Sequence, residues 1–225
     1  MTDMLEGKTI AVTGAAGALG GAVTKVLVAH GAKVLAIDFA KQIPANGQAT
    51  DHAGIDLADA AAAAALFAKP GEIHGLANVA GGFSWQTVAD SAPAEWERLF
   101  RLNVLTTLNA CKAALPVLEA SGGAIVNVGA AATARAAAGM GPYTASKSGV
   151  SRLTEALAEE FKDRGVRVNA VLPTIIDTAI NRADMPDSEF DRWVEPEALA
   201  EVIAFLLSDR ASAVTGALVP VAGRV

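Results

Sequence analysis

Short apolar runs alternate along the whole chain with longer stretches in which apolar residues return every three or four positions. The first pattern is that of strands buried on both faces, the second that of helices with one covered side. Strands are predicted at residues 8–13, 33–37, 53–55, 74–77, 124–128, 166–172 and 217–219. Helices are predicted from about Gly20 to Ala29, over 59–69, from Pro93 toward Ala114, from Pro142 to about Phe161, and over 196–207. Residues 40–52 read as a polar loop. The 59–69 stretch is almost all alanine, a helix of low complexity. Strands and helices alternating without a linker or internal repeat imply one α/β domain over residues 1–225, an open parallel sheet with helices on both faces.

Composition narrows the function. The chain has 225 residues, 52% of them hydrophobic, enough for one domain with a full core. Its net charge is −6 and it has no basic stretch, which argues against nucleic acid as a partner. The single cysteine, Cys111, cannot form an intrachain disulfide and reads as a small apolar residue on a helix. His30, His52 and His74 are scattered, so no metal site is expected. No apolar run reaches about 18 residues and no signal-peptide pattern is present, so a cytoplasmic, membrane-free protein is the expectation.

The turn after the first strand is Thr13–Gly14–Ala15–Ala16–Gly17–Ala18–Leu19–Gly20. A strand, a turn of small residues and a helix start offer free N–H groups and a positive dipole end to a pyrophosphate. The second strand finishes at Asp38. An acidic residue there accepts hydrogen bonds from ribose hydroxyls and repels a 2′-phosphate, so NAD is expected over NADP. The fourth strand runs into Asn78–Val79–Ala80–Gly81–Gly82, small residues suited to a flat ligand. Phe83 and Trp85 follow and read as a substrate-facing wall.

Tyr143 and Lys147 stand four residues apart on one helix, hence on one face. A free phenol has a pKa of about 10, and a neighbouring ammonium lowers it. Such a pair can exchange a proton with a carbonyl oxygen or an alcohol. Asn103 stands among apolar neighbours, and its amide calls for a partner.

In this order the motifs resemble those of the short-chain dehydrogenase/reductase family over nearly the whole chain. The glycine turn matches at Thr13, Gly14 and Gly20, with Ala18 in place of the middle glycine. The next motif matches at Asn78, Ala80 and Gly81, the helix asparagine at Asn103, the tyrosine–lysine pair at Tyr143 and Lys147, and the last motif at Pro173 and Thr178. The resemblance implies a Rossmann-like doubly wound fold and a nicotinamide cofactor, NADH. Tyr143 would be general acid/base, Lys147 would lower its pKa and bind the nicotinamide ribose, and Asn103 would hold a relay water. It assigns cofactor contacts to Gly14, Gly17, Ala18, Leu19, Gly20, Asp38, Asp56, Asn78, Ala80, Gly81, Pro173, Ile176 and Thr178, and substrate contacts to Ala130, Phe83 and Trp85. It also suggests a dimer or tetramer through the helices carrying Asn103 and Tyr143.

Ala130 departs from that pattern. Thirteen residues before the tyrosine most members have a serine that hydrogen-bonds the substrate oxygen. A methyl group cannot donate, so Thr133, a water or the substrate would have to. The chain resembles one branch in this respect, the dihydropteridine reductases, with further likeness at residues 80–83 and at Asn181, Arg182, Met185, Pro186 and Trp193. A quinonoid dihydropterin accepts hydride readily. The alternative reading is a dinucleotide-binding sensor or scaffold with weak or no turnover.

Overall fold

A computed structural model describes residues 3–44, 49–68 and 71–225. Seven parallel strands, in the order β3-β2-β1-β4-β5-β6-β7, form one sheet. They are β1 Thr9–Thr13, β2 Lys33–Ile37, β3 Thr50–His52, β4 Gly75–Asn78, β5 Ala124–Val128, β6 Arg167–Pro173 and β7 Leu218–Val221. The winding reverses between β1 and β4, which pair in register from Ile10↔Gly75 to Thr13↔Asn78. The helices are α1 Ala18–Ala29, α2 Ala60–Phe67, α3 Pro93–Phe100, α4 Thr106–Ser121, α5 Gly141–Phe161, α6 Ala179–Asp184 and α7 Pro196–Leu207. This is the Rossmann-like architecture the sequence predicts.

Each face of the sheet carries its own core. Ile10, Val12, Val126 and Val171 meet α1 and α7 through Val23, Leu27, Leu199 and Ile203. Ala11, Leu76, Ile125 and Val168 meet α2, α4 and α5 through Phe67, Ala114, Leu118 and Phe161. Alternation along each strand divides the residues between the faces, so a one-residue slip would exchange the cores. Cys111 is buried in α4, where burial pushes its thiol up to about 12.

Three elements differ from the sequence expectation. The third strand lies at Thr50–His52 rather than 53–55. It pairs only with β2 and is polar and largely exposed, so it carries no apolar run to read. Residues 45–48 of the predicted loop, and Lys69 at the end of the predicted alanine helix, lie outside the described residues. The helix expected from Pro93 toward Ala114 is interrupted by a π-helical turn, Arg101–Leu105, in which the Thr106 N–H reaches the Arg101 carbonyl five residues back. β7 extends through Pro220, allowed because this strand pairs only with β6. Among the described residues no helix is long and apolar enough to cross a membrane.

Candidate active site

The carboxyl ends of β1, β4 and β5 lie side by side at the reversal point, where open α/β sheets bind ligands. Thr13 ties two of them together. Its buried hydroxyl oxygen accepts the N–H groups of Val79 and Ala80, both at 3.1 Å. The glycine turn packs against the same loop. Gly14 has φ +70°, and a Cβ there would lie 2.7 Å from the Ala80 nitrogen. A Cβ on Gly20 would lie 1.9 Å from the Gly14 carbonyl oxygen. Gly17 is under no such pressure: its φ is −76° and a Cβ would clear the Gly14 oxygen at 3.4 Å. It caps α1 with no side chain over the first N–H groups, leaving those of Ala18, Leu19 and Gly20 at a bare helix end. Beside the turn lies a hollow of about 370 Å³, lined by Ala16, Gly17, Ala18, Lys25, Pro44 and Glu197.

Asp38 closes β2 next to this turn. One carboxylate oxygen accepts the Ala16 N–H at 2.9 Å and the other accepts the Ala40 N–H at 2.8 Å. The carboxylate is thereby fixed, with a lone pair still free on each oxygen. Phe39 beside it is exposed. Asp56 accepts the Ala58 N–H at 2.9 Å and pairs with Arg101 at 3.1 Å. Arg101 had no signal in the sequence. A bare helix start, a turn that admits no added Cβ at Gly14 or Gly20 and a fixed carboxylate together fit a dinucleotide.

Lys147 and Tyr143 sit on the first turns of α5. Lys147 is 5% exposed, and its ammonium donates to the Val128 carbonyl at 2.7 Å. Gly81 is the near wall: a Cβ there would lie 3.1 Å from Lys147 Nζ and 2.6 Å from Asn103 Oδ1. Tyr143 is half-buried, and Phe83 meets its ring edge-on at 4.9 Å. Burial pulls the Lys147 ammonium down to about 8 and pushes the Tyr143 phenol up to about 12. The direction for the phenol is the opposite of the one expected from the spacing. Loss of hydration on burial is the cause.

Other assignments also change. The Asn103 side chain is held by protein partners. Its Oδ1 accepts the Gly82 N–H at 2.9 Å, and its Nδ2 donates to Gly82 O and to Ser146 Oγ. It is fully buried and pins the β4 loop to α5. Asn78 turns its side chain into the protein, donating to Asn127 Oδ1 at 2.9 Å and to Cys111 Sγ, so it offers no side-chain contact to a ligand. Ala130 is 3% exposed, at the end of β5. The Thr133 hydroxyl donates to the Ala130 carbonyl at 2.8 Å and is not free to replace the serine. Thr178 caps α6 by accepting the Asn181 N–H, which leaves its O–H free to donate. Pro173 is buried at the end of β6, and Ile176 bridges to Val194. Phe83 and Trp85 are 55% and 60% exposed, and the Trp85 ring lies against Gly139, where an added Cβ would fall 2.1 Å from it.

The profile of the family described as short chain dehydrogenase matches residues 8–189. The chain belongs to the short-chain dehydrogenase family. The 2-(S)-hydroxypropyl-CoM dehydrogenase 3 of Xanthobacter autotrophicus is 34% identical over 250 aligned positions, spanning 99% of this chain and 98% of that one. The same organism's inactive 2-(S)-hydroxypropyl-CoM dehydrogenase 2 is 36% identical over 223 positions, spanning 88% and 97%. The structure of a short-chain type dehydrogenase/reductase from Mycobacterium ulcerans superposes with a TM-score of 0.89 at 28% identity, covering 100% of this chain and 90% of that one. Proteins of this family are oxidoreductases that use NAD or NADP.

Proposed function

We propose that this chain transfers hydride between a nicotinamide cofactor, NADH by preference, and a carbonyl, alcohol or quinonoid dihydropterin, with Tyr143 as general acid/base. The cofactor supplies or accepts the hydride at its nicotinamide ring. The observation that carries the reading is buried Lys147 one turn of α5 from Tyr143, its ammonium beside Gly81 in the loop that packs on Gly14. At neutral pH a phenol near 12 is protonated, the form that gives a proton to a developing alkoxide or amide nitrogen. The Tyr143→Phe variant should oxidise NADH with carbonyl or quinonoid acceptors more slowly by orders of magnitude. Unchanged turnover would remove Tyr143 from the chemistry.

Asp38 supports NADH, since a 2′-phosphate would meet a carboxylate already fixed in place. The pterin reading draws support from Phe83 edge-on to Tyr143 and from the missing donor at Ala130. An acceptor that is already electron-poor needs less help at its heteroatom. The missing donor at Ala130 also favours the second reading, a dinucleotide-binding sensor that turns over weakly. One relative is itself named inactive. A screen of reducible substrates with NADH, quinonoid dihydropterin included, separates the readings: tight binding with no consumption across the panel supports the sensor. Assembly through α3 and α5 is also proposed. The hollow of about 450 Å³ between Trp96, Phe100, Leu105, Pro142 and Ala145 is apolar, and Phe100 is 48% exposed there.

A further inference from the structure

Thr174 stands where the family motif carries the glycine after Pro173, and the proposed chemistry gives it no task. The structure gives it one. Its hydroxyl donates to the Ala222 carbonyl at 2.7 Å, and its N–H donates to the Val221 carbonyl at 3.2 Å. The residues just past Ala222 hold the other end of the same excursion. The Arg192 guanidinium donates twice to the Arg224 carbonyl, at 3.0 and 2.7 Å, and the Arg224 N–H returns a bond to the Arg192 carbonyl at 2.9 Å. Gly223 has φ +61°, and a Cβ there would lie 2.7 Å from the Arg192 carbonyl oxygen, so the two backbones are packed together. The Arg224 guanidinium adds an exposed pair with Asp191, the weakest of these contacts.

Between these two anchors, residues 175–191 leave the sheet and come back. The excursion is braced from within. The Val194 N–H bonds the Ile175 carbonyl at 2.9 Å and the Asp177 N–H bonds the Val194 carbonyl at 2.8 Å. Arg182 holds both Asp177 oxygens, at 2.6 and 2.7 Å, and lies over the Phe190 ring, which meets buried Trp193 edge-on. Ile176 and Thr178, to which the resemblance assigns cofactor contacts, are among the first residues of this unit, just past the end of β6, which pairs with β5 beside the Lys147 ammonium and hence the expected nicotinamide ribose.

We propose that Thr174 and Arg192, through the shared anchor 221–224, are positioning residues that set the height of the 174–195 unit over the nicotinamide end of the groove. They touch neither cofactor nor substrate; they act through Ile176 and Thr178. The inference rests on the nicotinamide reading for its binding arm, and the experiment keeps the two apart. Thr174→Val removes one hydroxyl at nearly constant volume, and Arg192→Ala removes the other anchor. Each variant is titrated with NADH and, separately, with ADP-ribose, which has no nicotinamide, and is exposed to a dilute protease at one temperature.

The expected result is NADH affinity three- to tenfold weaker in each variant, ADP-ribose affinity unchanged, and faster cleavage within 178–191 at an unchanged melting temperature. The double variant should lose less NADH affinity than the product of the single losses, because one anchored unit is released by either change. Equal loss of both ligands, or NADH affinity unchanged in both variants, overturns the proposal. Should the unaltered protein bind no NADH, the nicotinamide reading fails, and the protease arm alone decides: cleavage at the unaltered protein's rate then overturns the brace.

Discussion

The Ala130 side chain cannot donate a hydrogen bond, and the Thr133 hydroxyl is held by the Ala130 carbonyl. The backbone there is extended, with φ −157° and ψ 138°, so serine fits without strain. Ala130→Ser should raise kcat/KM for simple ketones about ten- to a hundredfold, the effect of one hydrogen bond gained in the transition state. With a quinonoid dihydropterin the same change should move the rate far less, and steady-state assays with both acceptors distinguish them. Lys147 gives a second prediction. Its folded pKa of about 8 lies below the ordinary 10.5, so between these values the unfolded chain binds more protons and stability rises with pH. Tyr143 acts oppositely, but only from pH 10 upward, where its raised pKa begins to matter. Lys147→Met should therefore be inactive yet more stable than the unaltered protein at pH 7, by about 3 kcal/mol or less. That margin should shrink toward pH 10 in denaturant titrations. The positions of Tyr143, Lys147 and Asp38 could be read from spacing alone. The states of Thr133, Asn103 and the phenol could not, because they depend on which partners the fold brings to each valence.

Among elements, the glycine turn makes the sharpest contrast. Gly20→Ala would drive a methyl into the Gly14 carbonyl and should lose NADH binding together with about 2 kcal/mol or more of stability. Gly17→Ala, at an ordinary φ with its Cβ clear, should lie within about 1 kcal/mol of the parent by thermal melting. The sequence presents both as members of one motif; only the packing of α1 against the Gly14–Ala15 turn separates them. The same limit explains which elements were legible. β1, β4, β5 and β6 are buried on both faces and announce themselves as apolar runs. β3 has solvent beyond it and polar residues, so nothing marks it. The turn at Arg101–Leu105 looks like ordinary helix in its residues. Its wide hydrogen bond shows only in the coordinates, where it carries Asn103 inward and Arg101 toward Asp56.

For the molecule as a whole, two cores flank one sheet, and Asp38, the glycine turn and Lys147 lie along its carboxyl edge. The apolar hollow around Phe100 lies outside both cores, on the face shared by α3 and α5. Phe100→Asp should shift the protein to a smaller species in size-exclusion chromatography while leaving the melting temperature of the dissociated chain nearly unchanged. An unaltered elution volume would place any assembly elsewhere. Fold class follows from the alternation of apolar runs, because a parallel sheet must be covered on both sides, whereas the strand order shows only in the pairing. The fastening of residues 174–195 to residues 221–224 has no counterpart in any local pattern, since it joins segments far apart in sequence through main-chain groups. Trp85, laid against Gly139 at the groove's rim, meets water, whereas Trp193 is shut inside the unit behind it. In a Trp96→Phe background the two remaining indoles should fluoresce at different wavelengths, and both emissions overlap the absorption of a reduced nicotinamide. Quenching resolved by colour would thus report arrival at the rim separately from ordering of the wall, with no dye attached.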